Sequence, residues 1–258
     1  MIYFAHVKVT SNAGDKRCCP YYYYESYFRQ FNCQIVNLTS LRHIHIDKQD
    51  IIIIGGGGIL DASRQWNDNI IYAMHKTKNI ILWGCGYNNN GKINFNSIPI
   101  NKTLLAGIRD YQHPYLRFVP CPSCKSVFFD RIKPVNASVG IIKHYGNTFT
   151  LNDSYNGIDC ILNSASMQEI VNFIHRHSII LSDSYHGLYW ASLAGKKVGR
   201  LDNRNNSRFR DCFYQYPYIQ YLDDADNAQA FTLTGNDLAF FRQLNDCFFL
   251  QVKSIIEK

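Results

Sequence analysis

Short apolar runs rich in Ile and Val recur along the chain and are separated by longer segments of mixed polarity. Runs of this kind are typical of strands that are buried on both faces of a parallel sheet. Because the segments between them have the spacing of amphipathic helices, the order of elements predicts an α/β fold with doubly wound sheets. The predicted strands cover residues 3–9, 35–38, 51–54, 80–83, 104–108, 138–142, 158–162, 179–181 and 197–201.

These predicted strands fall into two groups, separated by a stretch that breaks regular structure. Residues 120–134 hold three of the seven prolines, and proline interrupts both helices and strands. We therefore predict two Rossmann-like lobes, residues 1–125 and residues 126–258. An amphipathic helix predicted over residues 237–257 closes the second lobe, and the sequence does not show which lobe it packs against. Further helices are predicted over residues 21–31, 62–75, 166–177 and 185–194.

The chain carries 27 Lys and Arg against 20 Asp and Glu, a net charge of +7. A basic surface attracts nucleic acid, anionic lipid headgroups or phosphorylated small molecules. Most of the excess lies in residues 196–210, where six basic side chains face a single acidic one. Nucleic acid would favour an extended basic and aromatic track instead. We therefore expect a phosphorylated small molecule and no nucleic acid partner, with membrane contact in a secondary role.

No apolar run approaches the ~20 residues of a membrane-spanning helix, and the first residues lack the pattern of a signal peptide. We therefore expect a cytoplasmic protein, in which the nine cysteines stay reduced and serve mainly as small buried apolar side chains. Cys121 and Cys124 have the spacing of half a zinc site or of a redox pair. We interpret them as a structural turn between the lobes.

Small and polar residues follow several of the predicted strands in the first half. The strand over residues 51–54 leads into the glycine run, residues 55–58, which lacks both the G-x-G-x-x-G spacing and the Lys-Ser/Thr of a P-loop. The run is either a tight packing turn or the lining of a cleft at the carboxyl end of the sheet. Arg109 follows another strand, where it could pair with Asp110 or bind an anion through two hydrogen bonds.

In the second half, the strand over residues 179–181 passes through a polar turn into a helix. Asp183 or Ser184 is a natural N-cap, and the positive end of the helix would favour an anion there. His186 lies in the first helical turn. It is either placed for proton transfer or serves as a structural hydrogen-bonding residue.

Six short motifs follow one another in a recognisable order. They are residues 12–15 (NAGD), 55–58 (GGGG), 83–86 (WGCG), 109–110 (RD), 183–187 (DSYHG) and 194–196 (AGK). This order resembles the polysaccharide pyruvyl transferase family over roughly residues 9–210. The resemblance implies a glycosyltransferase-B-like pair of lobes with a cleft between them. It also implies transfer of the enolpyruvyl group of phosphoenolpyruvate onto a sugar of a bacterial cell-surface polysaccharide precursor, forming a pyruvate ketal.

The resemblance also implies roles for particular residues. His186 would be the general acid or a donor contact, and Arg109 would hold the phosphate or the carboxylate. Phosphoenolpyruvate is then the donor substrate, with no cofactor and no metal, and the acceptor is a lipid-linked or nucleotide-linked sugar. The remaining donor contacts would be Gly56, Gly57, Gly58, Ser184, Tyr185, Arg208 and Arg210, and the acceptor contacts Asn12, Asp15 and Tyr87.

One residue departs from the pattern of the family. Many members carry an arginine at the position of Ser184, and a hydroxyl cannot replace the bidentate grip of a guanidinium group. Either Arg208 or Arg210 supplies the missing cation, or the donor is not phosphoenolpyruvate. The alternatives are a nucleotide-sugar-dependent glycosyltransferase of capsule or lipopolysaccharide biosynthesis and a non-catalytic glycan-binding module.

Overall fold

The computed structural model describes residues 1–88, 98–111, 113–130, 138–146, 153–201, 213–230 and 237–258. Its first half forms a seven-stranded sheet in which every pair of neighbours is parallel. The strands are β1 (Ile2–His6), β2 (Cys33–Asn37), β3 (Ile51–Gly55), β4 (Gly58–Leu60), β5 (Ile80–Tyr87), β6 (Leu105–Ile108) and β7 (Arg117–Phe118). Their order is β2-β1-β3-β5-β6-β7, and β4 pairs with β5 beside this path.

The second half forms a five-stranded sheet. Its strands are β8 (Val139–Lys143), β9 (Asp159–Leu162), β10 (Ile179–Ser182), β11 (Lys197–Arg200) and β12 (Gln229–Ala230). The order is β12-β11-β10-β8-β9, and only the pair of β11 and β12 is antiparallel. The predicted α/β fold with parallel sheets is therefore confirmed, and each of the nine predicted runs overlaps a strand.

The order of strands reverses once in each sheet. In the first sheet, the chain runs from β1 to β2 on one side and then returns to β3 on the other. The second sheet repeats this arrangement, because β9 and β10 lie on opposite sides of β8. Such a reversal leaves a crevice at the carboxyl ends of the two central strands, where open α/β sheets bind ligands.

Six α-helices accompany the sheets within the described ranges: α1 (Ala13–Lys16), α2 (Glu25–Phe28), α3 (Arg64–Lys76), α4 (Met167–Arg176), α5 (Tyr185–Leu193) and α6 (Asp237–Ile256). Local caps explain where two of them begin. The Ser63 side chain accepts the Trp66 amide hydrogen at the start of α3. At the start of α4, Ser166 and Glu169 form a capping box, which satisfies two amide groups reciprocally.

The single helix predicted over residues 21–31 is wrong. The chain instead forms a 3-10 turn over Pro20–Tyr23 and then the four-residue helix α2. Aromatic side chains lose rotamer freedom in a helix, and here they pack onto the sheet. The Phe4 ring meets Tyr21 at 5.2 Å and Phe28 at 4.7 Å, in edge-to-face geometry. Packing on β1 thus overrides the helical pattern.

The C-terminal helix α6 contacts the cores of both halves. Phe241 belongs to the apolar cluster of the second half, whereas Phe248 and Val252 pack with Trp83 under the first sheet. Between them, Asn245 accepts a hydrogen bond from Trp83 Nε1 (2.9 Å) and donates one to the Pro120 carbonyl (3.2 Å). The division of the chain into lobes of residues 1–125 and 126–258 stays a prediction. Side chains of α6 pack against the cores of both sheets. In the described part of the chain, no helix has the length and apolar character needed to cross a membrane.

Candidate active site

A cavity of about 380 Å³, here called the central cavity, lies at the carboxyl ends of the strands of both sheets. The reversal points of both sheets open onto it, because its lining includes residues that follow β1 and β3 and residues that follow β8 and β10. The first half contributes Val7, Val9, Thr10, Asn12, Asp15, Gly58, Trp66, Asn88 and Arg109, and the second half His144, Tyr145, Ser184, Tyr185 and His186.

Arg109 enters this cavity from the end of β6. Its backbone N–H donates to the Cys85 carbonyl (2.9 Å), and its guanidinium group lies 3.6 Å from the centre of the Tyr185 ring. The residue is only 4% exposed. Two glycines give it room, since a Cβ atom at Gly58 would lie 2.7 Å from Nη2 and one at Gly86 would lie 2.6 Å from Nε. The sequence gives no hint of this use of glycine.

The sequence offered Asp110 as one partner for Arg109. In the structure, the Asp110 carboxylate bonds a backbone amide. Its Oδ2 atom accepts a hydrogen bond from the Tyr87 amide at 3.0 Å. The carboxylate thereby ties the end of β5 to the end of β6. Arg109 is the one side chain with a permanent positive charge among the described residues that line the central cavity.

The amino end of α5 reaches the cavity through a turn whose polar groups are held in place. Ser184 is the N-cap residue, but its side chain makes no capping bond. Instead, Ser184 Oγ accepts from Asn163 Nδ2 (3.4 Å), and Asp183 Oδ1 accepts from the His144 amide (2.6 Å). The first amides of a helix have no partner within the helix, so the positive end of α5 is directed at the cavity.

His186 lies in the first turn of α5 and is 4% exposed. Burial, and after it the positive charge of Arg109, hold the pKa of this imidazole well below its usual range. The ring is therefore neutral at pH 7. Its Nε2 atom lies 3.5 Å from Cys121 Sγ. On its other side α1 comes so close that a Cβ atom at Gly14 would lie 2.0 Å from Nδ1.

The other residues predicted for the site lie at different depths. Asn12 and Asp15 line the central cavity, and Asn12 Oδ1 accepts the Gly14 amide hydrogen (2.9 Å) at the start of α1. Gly58 also lines it, whereas Gly56 and Gly57 lie behind it with positive φ angles of 66° and 73°. A Cβ atom at Gly56 would lie 2.1 Å from Cys18 Cβ. The glycine run is thus a packing turn at its centre and a cavity wall at its end.

Among the described residues predicted as acceptor contacts, Tyr87 does not line the central cavity. Tyr87 lines a separate cavity, where its ring stacks on His113 at 6.0 Å, so its acceptor role stays a prediction. Arg208 and Arg210, predicted as donor contacts, lie outside the described residues.

Other residues of the site were missed by sequence reasoning. His144 and Tyr145 line the cavity directly after β8, and their position after an apolar strand was a usable signal. Asn163 follows β9 in the same way, but its contacts with distant segments gave no signal in the sequence. Its side chain accepts from the Tyr145 amide (2.9 Å), and its carbonyl accepts from the Ala13 amide (2.8 Å), which joins the second half of the chain to α1.

The cysteines agree with the interpretation as buried apolar side chains in five of eight described cases, and all eight are free thiols. Cys121 and Cys124 lie in a fully buried turn beneath α5, and Tyr189 Oη donates to the Cys121 carbonyl at 3.0 Å. Over the described ranges, no group of three or more His, Cys, Asp or Glu side chains is arranged to hold a metal ion.

Comparison with known proteins agrees with this architecture. The structure is similar to the crystal structure of a functionally uncharacterized protein from Klebsiella pneumoniae subsp. pneumoniae, with a TM-score of 0.53 and 15% sequence identity. The similarity covers 79% of this chain and 84% of that one, and at this identity it shows the fold alone. None of the curated proteins matches the chain in sequence.

The family is shown by the sequence itself. Residues 14–205, which include all of α1 but its first residue, Arg109 and the whole of α5, match the profile of the family described as polysaccharide pyruvyl transferase. This match spans well over half of the chain, so the protein belongs to the polysaccharide pyruvyl transferase family and is a transferase.

Proposed function

We propose that the central cavity binds phosphoenolpyruvate and that the protein transfers its enolpyruvyl group to a sugar of a cell-surface polysaccharide precursor. The observation that carries the proposal is the meeting of Arg109, His186 and the amino end of α5 in one cavity at both reversal points. The two sheets whose parallel strands meet at this cavity with their carboxyl ends support it, and we propose that they belong to a glycosyltransferase-B-like pair of Rossmann-like lobes.

Phosphoenolpyruvate is a small polyanion, so its binding needs positive charge and N–H donors. Arg109 can hold a carboxylate or a phosphate through two parallel hydrogen bonds. The amides at the start of α5 supply further donors next to the same wall. We propose that Arg208 or Arg210 adds the cation that Ser184 cannot provide.

The transfer conserves atoms and charge as follows. A proton adds to the methylene carbon of the donor, which leaves an oxocarbenium-like centre at the carbon bearing the phosphate. A sugar hydroxyl adds there, the C–O bond to phosphate breaks, and a second hydroxyl closes the ketal. Of the two hydroxyl protons that are lost, the new methyl group accounts for one and the departing phosphate takes the other.

His186 is the proposed source of the first proton. The imidazole is neutral in the empty cavity, because burial and Arg109 lower its pKa. A polyanionic donor beside the ring raises that pKa again, so the proton is taken up when the donor binds. The imidazole recovers a proton from the attacking hydroxyl group and releases it to solvent when the products leave, which returns the ring to its neutral form.

The acceptor side of the cavity is formed by the segment after β1 and by α3. Asn12 and Asp15 offer hydrogen-bonding groups, and Trp66 offers an aromatic face of the kind that stacks on sugar rings. We propose a lipid-linked or nucleotide-linked sugar as acceptor, met in the cytoplasm. Peripheral contact with anionic lipids at the inner face of the plasma membrane would aid this encounter.

The test measures phosphate release from phosphoenolpyruvate, with sugars of the organism's own glycan pathway as acceptors. We expect acceptor-dependent release that His186→Asn reduces at least a hundredfold, because general acid catalysis contributes about 10²–10⁴ in rate. The exposed His43→Asn variant is the matched control. Absence of release with every acceptor of the pathway would contradict the proposal.

A nucleotide-sugar-dependent glycosyltransferase is the second candidate, and Ser184 at the position of the usual arginine favours it. A ligand stabilises only the protein that binds it, so thermal shifts separate the two candidates. Phosphoenolpyruvate alone should raise the melting temperature on the first proposal, whereas a nucleotide sugar alone should raise it on the second. A panel of glycans that shifts the temperature without any turnover would favour a binding module instead.

A further inference from the structure

Three buried side chains form a chain of contacts behind His186. Trp190 Nε1 lies 3.0 Å from Ser123 Oγ, Ser123 Oγ lies 3.3 Å from Cys121 Sγ, and Cys121 Sγ lies 3.5 Å from His186 Nε2. All four residues are at most 4% exposed. Trp190 and His186 are four residues apart on α5, so they share one face of that helix and both reach the turn that carries Cys121 and Ser123.

The direction of these hydrogen bonds follows from what each group can donate. The indole N–H of Trp190 is a donor only, so Ser123 Oγ accepts from it. The single hydroxyl hydrogen of Ser123 is then directed at Cys121 Sγ.

Ser123 thus occupies one polar contact of the Cys121 sulfur as a donor. Burial raises the pKa of this thiol and lowers that of His186, so both groups are neutral near pH 7. The remaining neighbour is His186 Nε2, which accepts a hydrogen bond when it carries a lone pair. The thiol hydrogen therefore has an acceptor in the imidazole ring.

We propose that Cys121 is a positioning residue that fixes the tautomer of His186 by donating its thiol hydrogen to Nε2. The ring proton is then on Nδ1, the nitrogen beside Gly14, whose neighbours Asn12 and Asp15 line the central cavity. The neutral ring meets an anionic ligand with an N–H group. The opposite tautomer would direct a lone pair at that ligand.

This assignment adds a specific role to the Cys-x-x-Cys turn, which the sequence predicts only to be a structural turn between the lobes. The turn is held against α5 by Tyr189 and Trp190, and only the first of its two cysteines contacts the histidine. Cys124 Sγ instead accepts from Asn245 Nδ2 (3.3 Å) on α6. Cys124 is therefore a matched control, since it is an equally buried thiol in the same turn.

The test reads the tautomer directly by two-bond ¹H–¹⁵N correlation spectra of protein labelled with ¹⁵N-histidine. The signals of His186 are identified by their absence in His186→Asn. We expect the Nδ1–H tautomer in the unaltered protein near pH 7. Cys121→Ala should give a mixture or the Nε2–H tautomer, and Cys124→Ala should leave the pattern as it is.

An Nε2–H ring in the unaltered protein would overturn the proposal, whatever the variants do. An unchanged Nδ1–H ring in Cys121→Ala would do so too. Because these spectra need no substrate, the result is independent of the proposed function. If that function also holds, Cys121→Ala raises the KM for phosphoenolpyruvate about twofold when half of the rings change tautomer, because only the fraction with Nδ1–H binds the donor, and Cys124→Ala does not. A tautomer change without turnover in any form of the protein would refute only the proposed function.

Discussion

Arg109 reaches the central cavity because glycines flank it and an aromatic ring supports it. Replacement by Met keeps most of the buried stem but removes the charge and the paired donors. We expect Arg109→Met to weaken phosphoenolpyruvate binding by tenfold to a few hundredfold, since hydrogen bonds to charged groups contribute about 1.5–3 kcal/mol. Titrations with phosphoenolpyruvate, followed by thermal shift, give the dissociation constants of Arg109→Met and of the unaltered protein.

Two further variants sharpen this test. Arg109→Lys keeps the positive charge but lacks the planar guanidinium group. Its affinity for phosphoenolpyruvate should therefore lie between those of Arg109→Met and the unaltered protein. Arg117→Met removes an exposed arginine from β7 and should bind as the unaltered protein does. Equal affinity in Arg109→Met and the unaltered protein would place the donor elsewhere.

His186 also makes the stability of the fold depend on pH. Its pKa is lowered in the folded protein, so below about pH 6.5 the unfolded chain takes up a proton that the folded chain does not. The contribution of the neutral imidazole to the free energy of unfolding is present above that pH. It is lost as the pH falls toward the pKa of His186 in the folded protein. The loss is about 1.4 kcal/mol per pH unit in this window.

We therefore expect His186→Asn to flatten the fall in the free energy of unfolding between pH 6.5 and 5. Urea unfolding at a series of pH values measures it. His6, whose pKa is lowered mainly by burial, contributes in the same window and keeps part of the slope. The exposed His43→Asn variant should retain the full slope. A slope in His186→Asn as steep as that of His43→Asn would mean that the buried imidazole is not the cause.

At the scale of elements, the contact between α1 and α5 allows no side chain at Gly14. A methyl group there would lie 2.0 Å from His186 Nδ1 and 2.7 Å from His186 Cβ. We expect Gly14→Ala to separate the two helices, to lower the free energy of unfolding by about 1–3 kcal/mol and to reduce activity. Urea unfolding and phosphate release measure the two effects.

Gly146 provides the control for that substitution. It follows β8 near the same cavity, and a Cβ atom there would meet nothing closer than 3.6 Å. Gly146→Ala should therefore change stability by less than Gly14→Ala. Should Gly14→Ala behave like Gly146→Ala, the close approach of α1 to the imidazole would be refuted.

The strands were predictable because burial on both faces of a parallel sheet leaves an apolar run that can be read locally. Helix α1 was not, since four residues carry no periodicity, and its start depends on the Asn12 cap. The helix predicted over residues 21–31 failed for a related reason. Its aromatic side chains pack on Phe4, a partner that no local pattern reveals.

The same distinction applies to the candidate site. Arg109, directly after a predicted strand, and His186, in the first turn of a predicted helix, could be predicted from position because ligands bind at the carboxyl ends of parallel strands. The contacts of Cys121 and Asn163 could not be predicted, because they join segments 65 residues apart and opposite halves of the chain. Such contacts exist only after both sheets have formed.

At the scale of the whole molecule, α6 is the element that couples the two sheets. Arg242 donates to the Cys124 and Ser126 carbonyls of the segment between the sheets. One turn further along, Asn245 bonds Trp83 under the first sheet. The positions of the two reversal points relative to each other, and hence the shape of the central cavity, therefore depend on a helix that lines none of it.

We predict that the two halves unfold together because of this coupling. Phe248 is fully buried on α6 and meets the Trp83 ring at 5.2 Å, whereas Trp190 lies in the core of the second half. Phe248→Ala should cost about 3–5 kcal/mol. If unfolding is a single transition, the signals of both tryptophans shift to the same lower urea concentration.

Protein labelled with 5-fluorotryptophan allows this measurement, because the three tryptophans give separate ¹⁹F signals. Leu250→Ala, on the same helix but 61% exposed, should leave both midpoints near those of the unaltered protein. A Trp83 midpoint that falls while the Trp190 midpoint stays would contradict the prediction. The halves would then be independently stable units, and the cavity between them would owe its shape to contacts such as that of Asn163 with α1 instead of to α6.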